Sequence, residues 1–285
     1  MIYAHEIPNG SRLYFGQGAK IKRKVENESA QILSQEGYYE IVTPLFSYHQ
    51  HESFDSKKSL VRLNDSENHE VSLRADSTVD VVRIVTKRLG RSNDVKRWFY
   101  IQPIFEFPTK EYYQIGAELI EGSTSEACHM SHKLLEAQGI RPILQIANIA
   151  IPRLLSENYD IDIEQIKNVN VEELFDSGYE WMKKLIRINK VNDLNDLSVY
   201  PKDIAKELEK ILTLANTIDY DNIILSPLYY AKMRYYDSLL FRFFEDNSVY
   251  ATGGEYRVEN VSAAGFAIYT DKCIDKLMNK DKNEQ

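Results

Sequence analysis

The stretch RWFYIQPIFEFPTKEYYQIGAELIEG, residues 97–122, constrains this chain more than any other. It reads as a strand, a short loop at Pro108 and a second strand, rich in aromatic and β-branched residues, and so predicts a hairpin. Three further strands are expected in the last third of the chain, at SLLFRFFED, VYATGGEYRV and AAGFAIYT. Frequent hairpins and irregular crossovers point to a mostly antiparallel sheet with helices packed on it, an α+β fold. A buried hairpin of this kind can floor a site. Its loop end, however, carries Glu106, Phe107 and Pro108, where a phosphate-handling loop needs lysine or arginine.

Around the hairpin the pattern alternates between periods. Residues 18–35 place Ile21, Val25, Ala30, Ile32 and Leu33 mostly at helical spacing, with Gly37 positioned to end the helix. YYEIVTPLF predicts a strand stopped at Pro44, and LVRLND with EVSLRAD predicts a second hairpin. STVDVVRIVTKRLG predicts a helix capped by Ser77 or Thr78, with Val81, Val82, Val85 and Leu89 as its apolar stripe. SEACHMSHKLLEAQG reads as helix and RPILQIANIAI as an apolar strand. From about Leu154 to Asn222 the chain turns polar, acidic and helical, and strands return at NIILSPLYY. The expected organisation is therefore a core in two parts, 1–153 and 223–285, interrupted by a helical insertion at 154–222. Gly253-Gly254 marks a turn or a close backbone approach, and DKCIDKLMNK predicts a last short helix.

Composition excludes several classes of function. Lys and Arg number 35 against 43 Asp and Glu, a formal charge of −8, which argues against a broad face for polyanions and weighs against nucleic acid. Two cysteines, Cys128 and Cys273, give neither metal spacing nor a disulfide framework, so a reducing cytoplasm is expected. No signal peptide and no apolar run of the roughly 20 residues needed to cross a bilayer is visible, so no membrane association is expected. His129 and His132 stand at helical spacing with only Cys128 adjacent, too few ligands for a zinc site. Neither metal nor cofactor is implied.

The order of motifs resembles the catalytic core of histidyl-tRNA synthetase, a class II aminoacyl-tRNA synthetase. It resembles more closely a noncatalytic paralogous family, the regulatory subunits of ATP phosphoribosyltransferase. The resemblance runs from about Glu6 to Leu277. IPNG and EGYYEIVTPLF are similar to the first class II motif, a dimer-forming helix and strand. VSLRADSTVDVVRIV is similar to the family's LRPE-x-T segment, and the 97–122 hairpin to the second motif. MRYYDSLLFRFFE resembles the tyrosine-rich histidine-binding segment, ATGGEYR resembles GGRYD, and AAGFAIYTDKCI resembles the third motif.

Departures from the synthetase pattern fall on its ATP-handling positions. The hairpin arginine corresponds to Glu106, the arginine of RGLDYY to Ala231, and the third-motif arginine to Lys272. A carboxylate repels a triphosphate, and lysine lacks the bidentate fork of arginine. Since adenylation depends on positioned cations, the resemblance implies that it has been lost and that no catalytic residue remains. GGRYD has become Gly253-Gly254-Glu255-Tyr256-Arg257, with both charges inverted. The resemblance implies a core without the anticodon-binding domain that follows the third motif in the synthetase.

For the amino-acid pocket the resemblance implies retention, either as a binding site or as inherited scaffold. Asp76, Thr78, Gln114, Glu118, Tyr235 and Tyr236 correspond to residues that hold histidine in the synthetase. Carboxylates suit an α-ammonium, while tyrosine hydroxyls and a glutamine amide suit imidazole nitrogens. Taken singly, Thr78 reads equally well as an N-cap, Glu118 as the partner of a neighbouring cation, and only one of Tyr235 and Tyr236 can face a given side of a strand. The resemblance implies a regulatory subunit, not an enzyme, that binds and activates the short catalytic chain of ATP phosphoribosyltransferase in histidine biosynthesis. It also implies feedback by free histidine, and a homodimer within a hetero-oligomer such as a hetero-octamer. The competing readings are a divergent histidyl-tRNA synthetase-like ligase and a tRNA-binding sensor.

Overall fold

The computed structural model describes residues 6–48, 57–89, 94–168, 171–175, 177–230, 236–258 and 260–283. Helix α1 (Gly16–Gln35) is followed by β1 (Tyr39–Glu40), β2 (Phe46–Ser47), β3 (Arg62–Asn64), β4 (Glu70–Leu73), α2 (Thr78–Ile84), β5 (Arg97–Glu106), β6 (Lys110–Ile120), α3 (Thr124–Ala137) and β7 (Ile143–Asn148). Helices α4 (Ala150–Asn158), α5 (Ile163–Lys167), α6 (Val171–Phe175), α7 (Glu180–Arg187) and α8 (Lys202–Thr217) come next. Then follow β8 (Ile223–Leu225), β9 (Tyr236–Glu245), β10 (Ser248–Val258), β11 (Val261–Tyr269) and α9 (Thr270–Asn283).

Among the described residues, eight strands form one sheet in the order β1-β5-β6-β11-β10-β9-β7-β8, and β2-β4-β3 form a small second sheet. Only the outer pairs of the large sheet, β1 with β5 and β7 with β8, are parallel. The fold is thus the expected α+β architecture built on an antiparallel centre. Strand alternation sends the two sets of side chains to opposite faces. On one face, Ile115, Ala117 and Leu119 of β6 and Phe241 and Phe243 of β9 meet Val25 and Leu33 of α1, Leu134 of α3 and Ile274 of α9. Burying each such leucine or phenylalanine contributes roughly 1.5–3 kcal/mol, which makes this the main core. Leu155, Leu185, Ile204 and Leu208 of the helical run between β7 and β8 join the same core.

The other face is covered in part by α2. Val79 and Val82 pack on Tyr256, Val258 and Ala263, and Val81 and Val85 pack on Trp98 and Tyr100. Neither Ser77 nor Thr78 caps this helix. Ser77 has helical backbone angles, with φ −92° and ψ −26°, and its hydroxyl accepts from Gln102 Nε2 at 2.9 Å. The carboxylate of Asp76 instead accepts from Val79 N at 3.3 Å.

Three strand expectations need correction. YYEIVTPLF is not one strand: after Glu40 only Ile41 N still bonds to Phe99 O. The chain then leaves the sheet because Arg74, 1% exposed, captures the Thr43 and Pro44 carbonyls at 2.9 and 3.1 Å. RPILQIANIAI ends as a strand at Asn148 and turns into α4. NIILSPLYY is strand only to Leu225, since the Ser226–Tyr229 turn carries Tyr229 and Tyr230 off the sheet.

Candidate functional site

Beside α2, the same sheet face forms a cavity of about 1010 Å³, at the upper end of the roughly 300–1,000 Å³ usual for ligand pockets. Its floor follows from register. Gly116 of β6 lies opposite Ala267 of β11, Ala267 opposite Thr252 of β10, and Thr252 opposite Arg242 of β9. In the next row Glu118, Gly265, Gly254 and Leu240 stand in line. Small residues in mid-strand therefore leave an open floor between larger walls. Gly253-Gly254 serves close approach and not a turn: a Cβ on Gly253 would sit 2.4 Å from the Phe241 ring and 2.5 Å from Gly265 O.

Asp76 and Thr78, from the start of α2, line the cavity together with Gln114 of β6 and Tyr236 of β9. Glu106 lines it from the hairpin turn and Lys272 from the first turn of α9. Tyr235 and Ala231 lie outside the described residues. Glu106 accepts from Lys110 Nζ at 3.3 Å and from Tyr112 OH at 3.4 Å, so the turn end presents a paired carboxylate. Asp271 accepts from Tyr113 N at 2.9 Å and from the Tyr14 hydroxyl, tying α9 to β6 and to the segment before α1.

Glu118 is placed differently. It is fully buried beneath Gly265. Its Oε1 accepts from Tyr100 OH at 3.1 Å, and its Oε2 accepts from the Tyr256 hydroxyl. Burial pushes its pKa up to about 8, and the nearby negative charge of Asp76 adds to the rise. The tyrosine donors and Thr78 act the other way. Two carboxyl groups thus share one low-dielectric wall, an arrangement in which one of them holds a proton until a cation arrives.

Gly265 is indispensable to this wall. An added Cβ would stand 2.1 Å from Glu118 Oε2 and 2.8 Å from the Ala117 carbonyl oxygen, and the carboxylate, gripped by two tyrosines, has nowhere to swing. Gly265→Ala is therefore expected to lower stability by about 1–3 kcal/mol, as overpacking does. A urea titration showing an unchanged midpoint would contradict this packing.

Sequence reasoning missed Tyr100, Tyr256 and Arg242. The charge inversions at Glu255 and Arg257 stand out in the sequence, yet the inward-facing residue of that motif is Tyr256, 3% exposed. Strand alternation carried the signal: Tyr256 shares its face with Gly254, and Arg242 with Leu240, opposite the core residues Phe241 and Phe243.

Among the described residues, no helix is long and apolar enough to cross a membrane. The histidyl-tRNA synthetase family model matches residues 15–273. A protein of Wolinella succinogenes named ATP phosphoribosyltransferase regulatory subunit is 41% identical over 284 residues, covering 99% of each chain. A protein of the same name from Helicobacter hepaticus is 41% identical over 282 residues, covering 98% of this chain and 100% of its own. The crystal structure of a Bacillus halodurans ATP phosphoribosyltransferase regulatory subunit/histidyl-tRNA synthetase superposes with a TM-score of 0.77 at 19% identity. That superposition covers 96% of this chain and 84% of the other and concerns the fold alone. The chain belongs to the histidyl-tRNA synthetase family, and within it to the group of ATP phosphoribosyltransferase regulatory subunits.

Proposed function

We propose that the chain is the noncatalytic regulatory subunit of a cytoplasmic ATP phosphoribosyltransferase of histidine biosynthesis. In this reading it forms a homodimer, joins the short catalytic chain in a hetero-oligomer, activates it and takes part in its inhibition by free histidine. The observation that carries the reading is 41% identity along 99% of the chain to a relative of that name.

The cavity is consistent with it. Asp76 gives the cavity a carboxylate that suits an α-ammonium, with Glu118 buried close behind it, and Thr78, Gln114 and Tyr236 offer the neutral donors and acceptors that imidazole nitrogens need. The hairpin end suits a triphosphate poorly, because Glu106 faces the cavity and Lys272 is a point charge without a fork. Feedback is then linkage: histidine must bind one global state of the complex better than another, with a coupling of roughly 1–3 kcal/mol. Co-expression with the short phosphoribosyltransferase of the same genome, followed by activity assays with and without this chain and with added histidine, tests the reading. A catalytic chain that is fully active alone and does not co-purify would overturn it.

The ligase alternative makes an opposite prediction. Histidine-dependent exchange of pyrophosphate into ATP is expected to stay at the level of a no-protein control. Exchange above that level would establish adenylation and remove the noncatalytic reading.

A further inference from the structure

We propose that the segment 42–48 couples assembly to the cavity: a second copy of the chain, packed on the outer side of this segment, sets how tightly the cavity holds its amino acid. The inference rests on the readings of the chain as a homodimer and of the cavity as a histidine site, and adds a physical link between the two. It starts from an inverted pattern. Surface segments ordinarily turn apolar side chains inward and polar ones to water. Here Val42, Leu45, Phe46 and Tyr48 are exposed, whereas Thr43 and Ser47 are buried.

The buried side is bonded to the wall that carries Asp76 and Thr78. Arg74 Nη1 donates to Thr43 Oγ1 at 3.0 Å as well as to the Thr43 and Pro44 carbonyls. Arg74 N donates to Leu45 O at 2.7 Å, and Arg74 O accepts from Phe105 N at 2.8 Å. Gln102 accepts from Thr43 N at 3.3 Å and donates to Ser77 Oγ at 2.9 Å. Ser47 Oγ donates to Asp80 Oδ1 at 2.8 Å. The segment is thus tied to residues 74, 77 and 80. Asp76 and Thr78 stand between those anchors and line the cavity, as do Ile104 and Phe105 beside the Arg74 bond. A shift of the segment therefore moves two cavity walls together. In the lone chain only these polar anchors hold it, since its outer side faces water. A partner packed on that side holds it from both, and walls fixed in advance bind more tightly because less freedom is lost on binding. The occupant is a second copy. Residues 42–48 contain no charged side chain, so the patch is complementary to itself, and a two-fold axis uses one patch twice.

Calorimetry with L-histidine on the wild-type chain, on Val42→Glu combined with Phe46→Glu, and on Thr43→Val tests this, with circular dichroism to check folding. The monomeric double variant is expected to bind histidine roughly tenfold or more weakly than the wild-type dimer. Thr43→Val keeps the side-chain shape and the outer face but removes the hydroxyl between Arg74 and Gln102. It should stay a dimer, with its affinity lowered toward that of the monomer. Linkage makes the effect reciprocal, so dilution of labelled wild-type chain should show a tighter dimer with histidine than without it, and a smaller difference in Thr43→Val. A folded monomer that binds histidine as tightly as the wild-type dimer would overturn the coupling and leave both the dimer and the site standing. A Thr43→Val dimer with wild-type affinity would overturn the route through Thr43. Histidine binding that appears only when the catalytic chain is added would make that chain the occupant and overturn the second copy. A wild-type chain that is itself a monomer, or that binds no histidine with or without the catalytic chain, would remove the reading beneath, and this inference with it.

Discussion

Val42→Glu combined with Phe46→Glu is expected to yield a folded monomer that no longer activates the catalytic chain. Val42 is 79% and Phe46 58% exposed, and the neighbouring exposed side chains Tyr39, Leu45 and Tyr48 are also large and apolar. Leu13 and Phe15, just before α1, add to the same character. Monomers rarely leave so much apolar surface to water, and these residues belong to the segments that resemble the dimer-forming first class II motif. An obligate interface there would bury roughly 2,000 Å² or more. A carboxylate buried without a partner costs about 3–5 kcal/mol, and two-fold symmetry places each substitution in the interface twice. The dimer should therefore weaken by at least roughly four orders of magnitude. Both positions are exposed in the single chain, so its own stability should change by no more than about 0.5 kcal/mol. Analytical ultracentrifugation with circular dichroism separates the outcomes. A double variant that still sediments as a dimer, or a wild type that is a folded monomer at nanomolar concentration, would refute the interface.

The parts of this fold that could be read in advance are those where local composition agrees with the final place in the structure. β5 and β6 are rich in aromatic and β-branched residues on each side of a short loop, and they pair in unbroken register from Arg97↔Leu119 to Glu106↔Lys110. α3 carries its own start signal, with Ser123 accepting from Glu126 N and Glu126 accepting from Ser123 N. Where reading failed, a distant residue had taken over. YYEIVTPLF has strand composition, but Arg74, some thirty positions away, holds its carbonyls off the sheet. The site divides in the same way. Asp76, Thr78, Gln114 and Tyr236 follow from motif positions and do line one cavity. That Glu118 is sealed beneath Gly265, held by Tyr100 and Tyr256, depends on cross-strand neighbours that no local pattern encodes.

Glu118→Gln separates the protein's empty and occupied states. In the empty chain Glu118 holds its proton up to about pH 8, whereas the unfolded chain releases it in the ordinary carboxylate range near 4.3. Between those values the folded state binds the extra proton, so stability falls as pH rises, by at most about 1.4 kcal/mol per pH unit. Glutamine resembles the protonated acid, so the variant should show a flatter stability profile between pH 5 and pH 8 in chemical denaturation. Ligand binding should respond in the opposite sense. An ammonium or imidazolium arriving beside Asp76 favours the charged form of Glu118 and expels its proton. Near pH 7 the wild-type complex should therefore release more protons on binding histidine than the variant does, measurable by calorimetry in buffers of different ionisation heat. Loss of the charge should weaken histidine by roughly ten- to a hundred-fold, and the inhibition constant should rise in step. A purely structural glutamate would alter stability without altering proton release. An unchanged inhibition constant in Glu118→Gln would move the regulatory site elsewhere, to the interface with the catalytic chain, where the exposed Arg257 and its neighbour in the strand Glu255 become the residues to test.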